Sequence, residues 1–202
     1  MSREDLLLKM YDQMFNDINR HIMVVWQSVG VLVGAFAVFA LVEKNVVPLD
    51  FAVCIVLLIA LWLMAHLFDA AYWYNRNLVI IANIERQFLS KEDLKEIHYY
   101  FGSHRPKNKM IYHLRIQMAL GIVLIFMVLS YHFFVRVVPG FDLPLSNISL
   151  VRCLPYALTF IAIIYLLKLK NDCKKKYEEF LKESPGKAVD AAGTSFGIGH
   201  GH

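Results

Sequence analysis

Cysteine is scarce in this chain, and its three copies, Cys54, Cys153 and Cys173, are too far apart and too few to form a disulfide framework or a cysteine-based metal pattern. They read as small polarisable packing residues. Glycine and proline are missing from the whole stretch between Leu49 and Phe101, so nothing in the chain chemistry there breaks a helix. HExxH, GxSxG, P-loop and dinucleotide fingerprints are all absent, which removes the common hydrolase and nucleotide-binding chemistries and leaves no catalytic residue and no cofactor to name. His98, His104 and His113 stand near Glu92, Asp93 and Glu96, a pattern expected of a solvated helical surface, and no metal site is expected. No apolar run carries a row of acidic residues or a proline break at its centre, the marks of a proton-coupled transporter. No internal repeat of fixed period occurs.

Apolar residues, by contrast, are abundant. Of 202 residues 57% are hydrophobic and only 19% charged, and the mean hydropathy is +0.46, too apolar for an ordinary soluble domain. They gather in four runs, about 22–42, 51–73, 118–138 and 150–169. As helices rising 1.5 Å per residue, runs of about 20 residues cross a hydrocarbon core of about 30 Å. The expected fold class is all-α: a polytopic membrane protein with four transmembrane helices and a small cytoplasmic helical bundle. Eighteen of the 21 Lys and Arg residues lie in the N-terminal segment, the central loop and the tail; Lys44, Arg136 and Arg152 alone lie on the other side of a four-span chain. By the positive-inside rule both termini and the central loop are expected to be cytoplasmic. The net charge of +4 then calls for anionic lipid headgroups at basic segments such as "KLKNDCKKKYEEFLK", and not for nucleic acid, since no aromatic-plus-basic reader motif is present.

This divides the chain into five parts. Residues 1–21 form an amphipathic cytoplasmic helix with Leu7, Tyr11, Met14 and Ile18 on one face. Residues 22–73 form a transmembrane hairpin closed by the short turn "EKNVVPLD". Residues 74–117 form a cytoplasmic helical region that continues span two without interruption, past the interfacial rings Tyr72, Trp73 and Tyr74 and along a stripe of Leu78, Ile81, Ile84 and Phe88. Within it Ser90 with Asp93 reads as a helix cap, Gly102 as a stop and Pro106 as the start of a helix entering span three. Residues 118–169 form a second hairpin, with Pro155 at the start of span four, and 170–202 a basic tail that ends in a Gly-, Ala- and Ser-rich segment without expected order.

Three groups of residues are candidates for function. Gln27, His66, Asp69 and Arg76 fall at one depth and are expected to form an inner-leaflet polar cluster, with Asp69 paired to Arg20, Arg76 or Arg115 and Gln27 bonded to His66. Asn77, Asn83, Glu85 and Arg86 on the projecting helix are expected to form a cytoplasmic assembly face. Gly30, Gly34 and Ala37 set small residues at helix-packing spacing in span one. His132, with Arg136 and Arg152, marks the outer interface.

The N-terminal amphipathic helix, the tight hairpin and the second span that runs on through Arg76-Asn77-Leu78 to Ile84-Glu85 resemble small bacterial membrane proteins of the RipA-like and SLATT-like groups, over about residues 5–90. The resemblance implies an oligomeric inner-membrane protein and, for SLATT-like members, an effector of nucleotide-signalled defence. The expected function is thus a non-enzymatic homo-oligomer of the bilayer whose cytoplasmic helices act in assembly or signal reception, in defence or stress response. The alternative is a pore or transporter lined by the inner-leaflet cluster.

Overall fold

The computed structural model describes residues 1–89, 93, 107–140 and 149–184, without the side chains at 24, 25, 27, 28, 31, 32 and 35. The Ser90 cap, the Gly102 stop, Pro106, His98, His104 and the tail beyond Ser184 lie outside the described residues. The described residues are helical, with no strand among them. Helix α1 spans Arg3–Glu43 and α2 Leu49–Phe88; α3, Tyr112–His132, runs on through a π-helical turn at Phe133–Val137 and a 3-10 turn at Val138–Gly140. A 3-10 turn at Leu150–Cys153 leads into α4, Leu154–Glu183.

Among the described residues three helical stretches, not the four expected, are long and apolar enough to cross a membrane: Leu49–Phe88, Tyr112–Gly140 and Leu150–Glu183. The run 22–42 is helical but not among the three, and seven of its side chains lie outside the described residues. The N-terminal amphipathic segment and that run form one helix, since nothing between Asp17 and Val25 breaks it.

Helix α1 ends in a Schellman motif. Asn45 takes a left-handed backbone (φ 55°), its N–H donates to the Val42 carbonyl (2.9 Å) and the Val46 N–H to the Leu41 carbonyl (2.9 Å). Asn bears that conformation at less cost than most residues. Pro48, which has no N–H to satisfy, then presents its carbonyl to the N–H groups of Phe51 and Ala52, and α2 begins.

The chain divides into two compact units, an apolar one (Val24–Phe68 and Met110–Asn171) and a polar one (Met1–Met23, Asp69–Lys109 and Asp172–His202). In the apolar unit α2 is central: half of its most apolar window is buried, against 17% for α3 and 6% for α4. Val53, Val56 and Leu57 of α2 pack on Val128 of α3, joined by Phe39, Leu124, Ile125 and Leu158. Gly121 lets α3 approach α2 closely, since a Cβ there would touch Met64 Cγ at 3.4 Å. Away from this core, α3 exposes Ile116, Leu120, Val123, Phe126 and Met127, and α4 exposes Phe160, Ile161, Ile164 and Leu167. Apolar surface of this extent on long helices is compatible with a membrane location.

In the polar unit Ile18 of α1 packs on Leu78 and Ile81 of α2, with Tyr11, Met14, Phe15 and Tyr74 around them. On another side Val79 packs on Tyr177 and Leu181 of α4, beside Tyr72 and Phe180. The aromatic triplet therefore points three ways: Tyr72 to α4, Tyr74 to α1, and Trp73 stacked on His21 with ring centroids 6.2 Å apart.

The helix entering the third apolar run starts at Tyr112, not near Pro106. Asn75 explains this within the polar unit: fully buried, its Nδ2 donates to Asn108 Oδ1 (2.7 Å) and the Lys109 carbonyl (2.9 Å), which holds that segment in a non-helical turn where the Lys109 N–H donates to the Lys107 carbonyl (2.9 Å).

Candidate functional site

The most concentrated polar chemistry lies in the apolar unit, at the end where α2 starts and α3 finishes. Asp50 sits in the first turn of α2, where the helix dipole favours an acidic group, and its side chain is only 4% exposed. His132, the last residue of α3, is fully buried, and Arg136 follows it at i+4, so both side chains fall on one face. The π turn that starts at Phe133 lies between them; such widenings recur where a helix is adapted to a site.

Asp50 Oδ1 accepts from His132 Nε2 (2.8 Å) and from Arg136 Nε (3.2 Å), and Asp50 Oδ2 accepts from Arg136 Nη2 (2.9 Å). The Arg136 fork therefore grips the carboxylate through both oxygens. Tyr156 from the first turn of α4 brings its hydroxyl to 3.1 Å from His132 Nδ1. A carboxylate only accepts, so Nε2 carries the hydrogen toward Asp50, and in the neutral ring Nδ1 accepts from the Tyr156 hydroxyl. One continuous chain of hydrogen bonds thus ties α2, α3 and α4 together. In an apolar setting each of these bonds replaces water that is not there, so the cluster fastens the three helices at this end.

The sequence-predicted sites are distributed differently. His66 meets Trp62 edge-on, with ring centroids 4.6 Å apart. Asp69 is exposed and forms no ion pair among the described residues. The arginines expected to pair with it have other partners. Arg20 bonds Asp17 (3.2 Å), Arg76 lies 5.1 Å from the Trp73 ring centroid and 5.3 Å from that of Phe180, and Arg115 Nε donates to the Met110 carbonyl (3.0 Å). The physical reason is proximity: each guanidinium finds an acceptor or a ring within a turn or two of its own position. The Gln27 side chain lies outside the described residues.

The expected assembly face is largely spent within the chain. Glu85 is buried and its Oε1 accepts from the Tyr11 hydroxyl (3.3 Å). Asn83 Nδ2 donates to Ser184 Oγ (3.2 Å), and Arg86 Nη1 donates to Asn83 Oδ1 (3.2 Å). Asn77 is buried, with Arg76 Nη1 at 3.4 Å from its Oδ1. Gly30, Gly34 and Ala37 lie exposed, and a Cβ on either glycine would meet nothing within 4 Å.

Burial, and then the Glu85 carboxylate, push the Tyr11 phenol up to about 12. Its unfolded value is about 10, so the neutral hydroxyl contributes stability below pH 10 that is lost as pH climbs toward 12. An absorbance titration of wild type minus Tyr11→Phe should show one phenol ionising near pH 12, and Glu85→Gln should bring it down. A difference curve centred at the ordinary tyrosine value would contradict the contact. Burial and then Asp69 likewise push the Cys173 thiol up, which keeps it protonated and inert.

Sequence reasoning missed Asp50, Tyr156 and Asn75 as site residues and took His132 for an interfacial marker. The available signal was topological: in a chain of antiparallel helices, the start of run two, the end of run three and the start of run four meet at one end. Among the described residues no group of three His, Cys, Asp or Glu gathers as a metal site would require. An apolar cleft of about 190 Å³, lined by Leu57, Met64, Ile125, Leu158 and Leu166 among others, has Thr159 as its polar member, and that hydroxyl donates to the Pro155 carbonyl. No family model, no curated protein and no solved structure matches the chain.

Proposed function

We propose that this chain is a non-enzymatic, homo-oligomeric protein of the bacterial inner membrane. On this reading it crosses the bilayer four times, with both termini cytoplasmic, and its cytoplasmic helices act in assembly or signal reception, as members of the RipA-like and SLATT-like groups are expected to do. The observation that carries the reading is α2: forty residues without a break, apolar through Phe68 and then polar on to Phe88, with α1 and α4 packed on its polar half. Such a helix carries a membrane protein's chain from lipid to cytoplasm without a turn. The buried fastening at Asp50 and His132 supports a scaffold role over chemistry, because its hydrogen bonds are turned inward and the cleft in the same unit is apolar.

The oligomer is read from span one. A chain with Gly30, Gly34 and Ala37 exposed, and open space around both glycines, presents a face on which a second helix can approach closely. Gly30→Leu and Gly34→Leu should leave the fold of a single chain intact, because among the described residues a Cβ at either position meets nothing within 4 Å. They should shift the protein from a multiple of 23.3 kDa toward that mass in detergent, as measured by light scattering on a sizing column. A wild-type protein that runs as a monomer at all concentrations would overturn the oligomer.

A further inference from the structure

Among the described residues, Arg152 forms no ion pair. Arg152 stands in the 3-10 turn that leads into α4. Its Nη1 lies against the Gly140 backbone so closely that a Cβ on Gly140 would come within 2.6 Å of it. Its Nε is shut off from solvent and has no hydrogen-bond partner, and among the described residues no carboxylate pairs with it. A guanidinium cannot shed its charge, so a desolvated donor of this kind calls for an acceptor. The nearby end of the α3 extension accounts for the place of Nη1, where helix carbonyls attract a cation, but gives Nε nothing.

A second guanidinium serves the same end. Arg136 precedes Gly140 by about one helical turn, roughly 6 Å along the axis. It spends Nε and Nη2 on Asp50, while Nη1 is left over and the side chain is 39% exposed. Asp50 is thus engaged by Arg136 and His132, and among the described residues it forms no ion pair with Arg152.

We propose that Arg152 forms an oxyanion site that takes a phosphate group. The planar fork of arginine matches phosphate oxygens, and the missing side chain at Gly140 leaves the Arg152 guanidinium the space it takes there. On the membrane-spanning reading, on which the choice of source rests, this end lies at the headgroup level. The phosphate of a phospholipid is then the occupant at hand, and free phosphate offers the same chemistry.

The test uses the full chain in a phosphate-free neutral detergent. One arm titrates inorganic phosphate and follows the thermal midpoint. The other incubates the protein with phosphatidylglycerol, or with a phosphate-free glycolipid of the same acyl chains, and counts retained lipid by native mass spectrometry. Wild type should retain phosphatidylglycerol over the glycolipid. Arg152→Gln should weaken that retention by about tenfold, the effect of removing a charge-assisted pair, while Lys168→Gln in the basic stretch leaves it unchanged. Arg152→Lys, which keeps charge and loses the fork, should fall between and serves if Arg152→Gln does not fold. Protection by inorganic phosphate that Arg152→Gln abolishes supports the site with a free oxyanion as its source. Equal retention of both lipids together with no response to phosphate overturns the proposal, as does a preference that survives Arg152→Gln unchanged. The phosphate arm needs no bilayer, so flotation of the chain with vesicles checks the membrane reading separately.

Discussion

Asp50→Ala is expected to destabilise the chain by about 2–3 kcal/mol, the cost of leaving a buried donor without its charged acceptor. The loss falls mainly on His132, whose ring is fully buried and whose Nε2–H loses its acceptor across the 2.8 Å contact. Arg136 loses less, since its side chain is 39% exposed and can return its charge to the surface. The measurement is unfolding in mild detergent, followed by circular dichroism and by the trend with added denaturing detergent. His132→Leu should cost less than Asp50→Ala, because it removes the orphaned donor along with the contact. In the double variant the two effects should fall short of additivity by about 1 kcal/mol or more, since the two residues share one hydrogen bond. Fully additive effects, or an Asp50→Ala cost below about 1 kcal/mol, would mean that the cluster is incidental to the fastening of α2, α3 and α4.

That cluster also marks the limit of what the residues disclose on their own. The long helices were readable because their causes are local: apolar runs of bilayer length, and a stretch from Leu49 to Phe101 that holds no Gly or Pro. The packing of Tyr11, Met14 and Ile18 on Leu78 and Ile81 was foreshadowed by two apolar stripes, each needing a partner. The first run was read as a span on composition, and among the described residues it is not one of the three helices that qualify. The ionic pairings went astray for a different reason. Depth along a helix is set by residue number, but which way a side chain faces depends on how each helix is rotated about its axis, and no periodicity fixes that when a run is apolar all round. Asp50 and His132 are 82 positions apart and meet through such rotation. The π turn after His132 alters the count further, because it adds a residue to the turn that carries Arg136. Asn75 was hidden for the opposite reason: it lies within a helix whose existence was plain, yet its role is to hold a non-helical segment at Asn108 and Lys109.

Tyr177→Ala should produce the largest loss in the polar unit, about 3–5 kcal/mol by comparison with other buried aromatic truncations. The ring is fully buried and packs on Val79 of α2 and Leu181 of α4, with Phe180 beside it, so its removal opens a cavity between two helices that no single rotamer change can fill. Val79 and Leu181 then lose the ring they pack on, and the end of α4 should separate from α2. Limited trypsin digestion checks this: cleavage at Lys174, Lys175 and Lys176 should speed up sharply in Tyr177→Ala, since a helix freed of its partner frays and a frayed backbone fits a protease. The apolar unit has its own cluster around Val53, Val56 and Val128, so Asp50→Ala should leave that cleavage rate nearly unchanged. The reverse comparison is as sharp. If Tyr177→Ala and Asp50→Ala accelerate the same cuts to the same degree, the two units unfold as one.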